Sequence, residues 1–68
     1  MTPIQRQILR FITESTLDNG YPPTVREIAA AVGRAPSSVH AYLAELLDTG
    51  AISRGPGPRT IVVHEEAP

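Results

Sequence analysis

The 68 residues contain no cysteine and no lysine, and each absence excludes a chemistry. Without cysteine there can be no disulfide framework, no zinc–thiolate site and no thiol nucleophile. Without lysine there is no Schiff base, no Walker-type phosphate lysine and no serine–lysine dyad. All six cations are arginines: Arg6, Arg10, Arg26, Arg34, Arg54 and Arg59. The two histidines, His40 and His64, stand far apart in sequence with no cysteine to complete a metal site. No apolar run nears the roughly 20 residues of a membrane span, and no basic-then-apolar leader opens the chain. A soluble cytoplasmic domain is expected, with no enzymatic role, no cofactor, no metal and no small-molecule ligand.

The length allows one small domain, since a chain near this size buries only about 60% of its unfolded surface. Net charge is −1, which is neutral on nucleic acid. Distribution says more. Between positions 24 and 63, four arginines face Glu27, Glu45 and Asp48, a net of +1, while Glu65 and Glu66 sit in the final HEEAP segment.

Thr2-Pro3-Ile4-Gln5 has the form of a capping box: a hydroxyl at the N-cap, proline at the first helical position, and a glutamine that reaches back. Ile4, Ile8, Phe11 and Ile12 recur at helical spacing, and Arg6, Arg10 and Glu14 fall opposite. Asn19-Gly20 ends this first helix, and Tyr21-Pro22-Pro23 is a rigid extended connector whose tyrosine is expected to cover the helix end. Thr24-Val25-Arg26-Glu27 repeats the capping box and opens a short helix with Ile28, Ala29 and Val32 inward. Gly33 closes it. A third helix begins near Pro36, after the poor cap Ala35. Val39, Leu43, Leu46 and Leu47 form its apolar face, with Tyr42 at the edge and Gly50 at its end. Beyond Gly50 the period changes: Ala51–Arg54 and the β-branched Arg59–Val63 read as strands around the turn Gly55-Pro56-Gly57-Pro58. The fold class expected is mainly α with a small β-hairpin, over residues 1–63. A disordered acidic tail is expected at 64–68, with His64 inert within it.

A short helix, a turn at Gly33 and a longer helix make the helix-turn-helix layout. That unit alone does not exclude an ordinary helical bundle. The hairpin that follows it, with arginines on both sides of its tip, adds a wing and points to DNA.

Particular residues extend the likeness. Thr2-Pro3, Gln5 to Leu9, Gly20-Tyr21-Pro22-Pro23-Thr24-Val25-Arg26-Glu27-Ile28-Ala29 and Ala31-Val32-Gly33 resemble the N-terminal DNA-binding domain of LexA-type SOS repressors. Ser38-Val39-His40, Leu43, Leu46, Gly50, Ile52 and Arg54 continue the match, which spans Thr2 to Val63. The resemblance implies a three-helix winged helix-turn-helix that binds operator DNA and represses transcription. The chain departs from the family in two ways. Its turn between Gly33 and Val39 is one residue shorter than is usual, and Ala35 stands where a serine commonly caps the recognition helix. The family's C-terminal domain, which dimerises and cleaves itself, is absent from these residues. A standalone relative or a fragment is expected, without self-cleavage.

On the third helix, Ser37, Ala41, Ala44 and Asp48 lie opposite Val39, flanked by Ser38, His40 and Glu45. The first half of a recognition helix reaches base edges in the major groove, so Ser37, Ser38, His40 and Ala41 are the expected readers. A polar solvated face is the plainer alternative. No Arg, Asn or Gln lies on this face, so specificity should be modest.

Phosphate contacts are assigned to Thr24 and Arg26 at the start of the second helix, Arg34 at the turn, and Arg54 and Arg59 around the wing tip. For Arg26 pairing with a nearby carboxylate stays open. For Arg54 and Arg59 simple solvation of the hairpin stays open. The expected partner is double-stranded DNA, with a homodimer on inverted half-sites, and the place of action is the bacterial nucleoid. The competing reading is a winged-helix module that docks a protein partner of the transcription machinery.

Overall fold

Thr2 starts the first helix as its motif predicts. Its hydroxyl accepts the Gln5 N–H at 3.3 Å, and the Gln5 side-chain oxygen accepts the Thr2 N–H at 3.0 Å. In the computed structural model, which describes residues 2–64, α1 runs Pro3–Asn19, α2 Val25–Val32 and α3 Pro36–Asp48. Two short strands follow, β1 at Ile52–Arg54 and β2 at Ile61–Val63. Thr24 closes the second capping box, with its hydroxyl accepting the Glu27 N–H at 3.2 Å and Glu27 Oε1 accepting the Thr24 N–H at 2.8 Å. Two orphan donors of the helix end are thereby satisfied reciprocally.

Gly33 ends α2 at φ 70°, a left-handed conformation that a Cβ would strain. Its N–H and that of Arg34 both reach the Ala29 carbonyl, so the chain reverses within a few residues and α3 packs back on α2. α3 ends in the same manner: Gly50 is at φ 81° and the Ala51 N–H meets the Leu46 carbonyl at 3.0 Å. β1 and β2 pair antiparallel, with Ile52 opposite Val63 and Arg54 opposite Ile61.

One core results. It gathers Ile8, Leu9 and Ile12 of α1, Ile28 and Ala29 of α2, Val39, Leu43 and Leu46 of α3, and Ala51, Ile52 and Ile61 around the hairpin. Each buried Ile or Leu side chain contributes about 1.5–3 kcal/mol relative to exposure. The inner stripe of α1 is Gln5, Ile8, Leu9 and Ile12; Ile4 and Phe11 are only half-buried. The expected stripe was thus displaced by part of a turn, because Leu9 and Gln5 face the other elements more directly. Leu47, expected inward, is 40% exposed, since Val39, Leu43 and Leu46 already define the inner face. Gln5 also donates from Nε2 to Glu45 Oε2 at 2.8 Å, tying the start of α1 to α3.

Three helices with a helix-turn-helix unit and a two-stranded antiparallel wing make this a winged helix-turn-helix. In the wing, the Thr60 hydroxyl lies 2.9 Å from the Gly55 carbonyl and 3.0 Å from that of Gly57, drawing the tip together. His64, placed in a tail by composition, continues the ladder instead: its N–H meets the Ala51 carbonyl at 2.9 Å and its Nε2 lies 2.7 Å from Ser53 Oγ. The rest of the expected tail lies outside the described residues.

Candidate nucleic-acid interface

α3 presents the residues that sequence periodicity put on its outer face. Ser37, Ser38, His40, Ala41, Ala44, Glu45 and Asp48 are all exposed, while Val39, Leu43 and Leu46 hold the opposite face in the core. Among the described residues, Ser37, Ser38 and His40 use no side-chain hydrogen bond on the protein itself. The start of the helix is equally open. Ala35 is extended at φ −69°, ψ 148° and offers no side-chain cap, and Pro36 has no N–H. Val39 is the first to bond back, to the Ala35 carbonyl at 3.1 Å, which leaves the N–H groups of Ser37 and Ser38 without an intrahelical partner. Such donors, at the positive end of the helix dipole, suit an anion. Glu45 is held by Gln5 and so is fixed toward α1.

The four arginines assigned to phosphate contacts divide into two sets. Arg26, Arg34 and Arg54 are exposed and form no ion pair among the described residues. Arg59 is engaged. Its Nη1 donates to Glu27 Oε1 at 2.8 Å and to the Pro22 carbonyl at 3.2 Å, and its Nη2 donates to Glu27 Oε2 at 3.3 Å. The guanidinium also lies 4.8 Å from the centre of the Tyr21 ring. Arg59's hydrogen bonds, and then the Thr24 N–H, hold the Glu27 carboxyl below its ordinary value, and Glu27 raises Arg59 in turn. The structure therefore brings Thr24 and Arg59 together through Glu27 and leaves Arg26, Arg34 and Arg54 outward. The hydroxyl and N–H of Thr24 are both committed to Glu27.

Sequence reasoning missed Glu27 and Gln5 as connectors. It assigned Tyr21 to packing, whereas the residue is 48% exposed and its ring faces Arg59. The pattern Thr-x-x-Glu signalled a cap, but nothing local signalled a partner 32 residues away. Among the described residues, no three His, Asp or Glu side chains gather closely enough to hold a metal. None of the described helices is long and apolar enough to cross a membrane.

With this geometry in hand, comparison with known proteins is decisive. A family model described as the LexA DNA binding domain matches residues 1–60. The chain belongs to the LexA DNA-binding domain family. It is similar to the LexA repressor of Syntrophomonas wolfei, at 47% identity over 66 residues and 94% of this chain. The LexA repressors of Bacillus velezensis and Bacillus subtilis are 55% and 52% identical over 64 residues, each covering 91% of the chain. The chain spans about a third of the length of these LexA relatives, 31–32% in each case.

Proposed function

We propose that the chain is a DNA-binding transcriptional repressor module that acts in the cytoplasm of a bacterium. It seats α3 in the major groove of duplex DNA and lays the wing along the backbone or the minor groove. The observation that carries this reading is α3 itself: Ser37, Ser38 and His40 on its outer face have no side-chain hydrogen bond among the described residues, at a helix start with no side-chain cap, on a scaffold of the LexA DNA-binding family.

Ser37, Ser38, His40 and Ala41 meet base edges. A serine hydroxyl bonds to bases or phosphates, an imidazole donates to a guanine acceptor, and the alanine methyl packs on a thymine methyl. Arg26, Arg34 and Arg54 supply positive charge to phosphates, with Thr24 holding the first turn of α2 and Arg59 beside the wing tip. No side chain on the reading face makes a bidentate base pair contact, so discrimination between sequences is modest and one copy binds weakly. Tight binding takes two copies on inverted half-sites, as a dyad operator mirrors a protein two-fold.

Titrating duplex binding against salt tests the reading. With roughly three or four phosphates neutralised, log affinity falls with log salt at a slope of about −3 to −4. A flat profile would end the DNA reading and favour a protein partner, a reading suited to the net charge of −1. Footprinting that shows one copy protecting a single half-site tightly would end the requirement for two.

A further inference from the structure

We infer that Arg59 fixes the wing against the start of α2 and serves DNA binding as a positioning residue, not as a phosphate contact; the inference rests on the proposed function. A two-stranded hairpin is marginal by itself, and this one has strands of only three residues. Ile52 and Ile61 anchor its two strands in the core, and the Thr60 hydroxyl closes its tip. Neither fixes how the exposed tip is inclined to the helix-turn-helix. Arg59 does, because its planar fork meets one short segment, residues 21–27, in three ways: the two oxygens of Glu27, the Pro22 carbonyl and the Tyr21 ring. A bidentate fork restricts orientation in a way that a point charge does not.

The same contacts oppose a phosphate at this position. Glu27 neutralises the guanidinium, and a phosphate drawn to Arg59 would meet the Glu27 carboxylate beside it. Glu27 cannot easily turn away, because Oε1 also accepts the Thr24 N–H and lies 3.2 Å from the Thr24 hydroxyl. Arg54, on the other stem of the wing, is exposed and has no such partner among the described residues. The two wing arginines thus have different tasks: Arg54 meets the backbone, and Arg59 sets where Arg54 and the tip stand. Exposed ion pairs add little stability, so the effect is on geometry.

The test uses the whole 68-residue chain, its Arg59→Ala, Arg59→Lys and Glu27→Gln variants and the Glu27→Gln/Arg59→Ala double variant. The probe is a duplex selected from a random pool by the wild type. Glu27→Gln keeps the capping box, since glutamine serves equally at that position, and removes only the charged fork. Expected are equal losses of about two- to fivefold for Glu27→Gln and Arg59→Ala, the range an exposed ion pair supplies. Arg59→Lys should lose as much despite its charge, the double variant no more than either single one, and the salt slope should hold in all four. Amide NMR shifts at Gly55, Gly57 and Thr60 should move alike in the free variants. A salt slope reduced by about 0.9 in Arg59→Ala, with tighter binding by Glu27→Gln, would make Arg59 a phosphate contact and overturn the inference. Unmoved wing shifts in Glu27→Gln and Arg59→Ala would overturn it as well. If the wild type binds no duplex, the proposed function falls, and the shifts in the free protein still decide whether Arg59 fixes the wing.

Discussion

Thr24 and Ala35 occupy the same place before successive helices, and their backbones are alike, φ −81°, ψ 166° against φ −69°, ψ 148°. What differs is the side chain. At Thr24 the hydroxyl and Glu27 satisfy each other's N–H groups, and Arg59 closes the assembly from the wing side. At Ala35 nothing caps, and the Ser37 and Ser38 N–H groups face outward. A Ser, Thr, Asp or Asn N-cap contributes about 0.5–2 kcal/mol over alanine, so α3 forgoes stability that α2 retains. The end completed by its own side chains belongs to the scaffold. The end left incomplete is where an outside acceptor can enter, and a phosphate has the charge and the oxygens to do so.

The sharpest way to break this contrast is to cap α3. Ala35→Asp should stabilise the free chain by about 1 kcal/mol, raising the melting midpoint by roughly 4–8 °C for a domain of this size. If a phosphate comes to this end, Ala35→Asp should also weaken duplex binding by about 3 kcal/mol, a hundredfold or so, since its carboxylate takes the N–H groups and repels that phosphate. Ala35→Ser should stabilise similarly and leave affinity within a fewfold. Melting curves and duplex titrations on the same samples check both. Equal affinity for the Asp and Ser variants would show that no phosphate comes to this end.

Opening α2 is the converse. Thr24→Ala removes the acceptor for the Glu27 N–H and should cost about 1–2 kcal/mol in denaturant unfolding, with Thr24→Ser nearly neutral. The loss arises in the folded scaffold, so the salt slope of DNA binding should not change. A duplex affinity lowered about tenfold in Thr24→Ala would mean that Thr24 contacts phosphate directly.

Most of the fold could be read from the chain because its determinants are local. Both capping boxes span four residues, and Gly33 and Gly50 end their helices by their own conformational freedom. The outer face of α3 followed from helical period alone. The connections that were missed join distant residues: Gln5 to Glu45 across 40 positions and Arg59 to Glu27 across 32. Exposed charged side chains choose among partners that differ by less than about 1 kcal/mol, and only the packed elements decide which partner is in reach. Sequence could place Arg54 and Arg59 on either side of the wing tip but could not tell which of the two Glu27 would hold. His64 was misread for a related reason. Its acidic neighbours suggested a tail, whereas its backbone N–H finds Ala51 only once the hairpin has formed.

The smallest expected effect concerns acid. Arg59's hydrogen bonds and the Thr24 N–H hold the Glu27 carboxyl below its ordinary value of 4.5 in the folded chain. The unfolded chain therefore takes up this proton first as pH falls. The Glu27–Arg59 pair contributes its full stability above the ordinary carboxylate range, and the contribution disappears as pH drops through the lowered folded value. Wild type minus Glu27→Gln should then give a stability difference that is constant from neutral pH down to that range and fades as pH falls through the lowered folded value. Both groups are exposed, so the difference is small, and raising salt should shrink it further. Paired unfolding curves over a pH series at low and high salt are the measurement. The start of α3 has no carboxylate in its first turn, so Ala35→Ser should stabilise by the same amount at every pH in the series. If the Glu27 difference also stayed constant into strong acid, the carboxylate would not be contributing, and the end of α2 would be held by Thr24 alone.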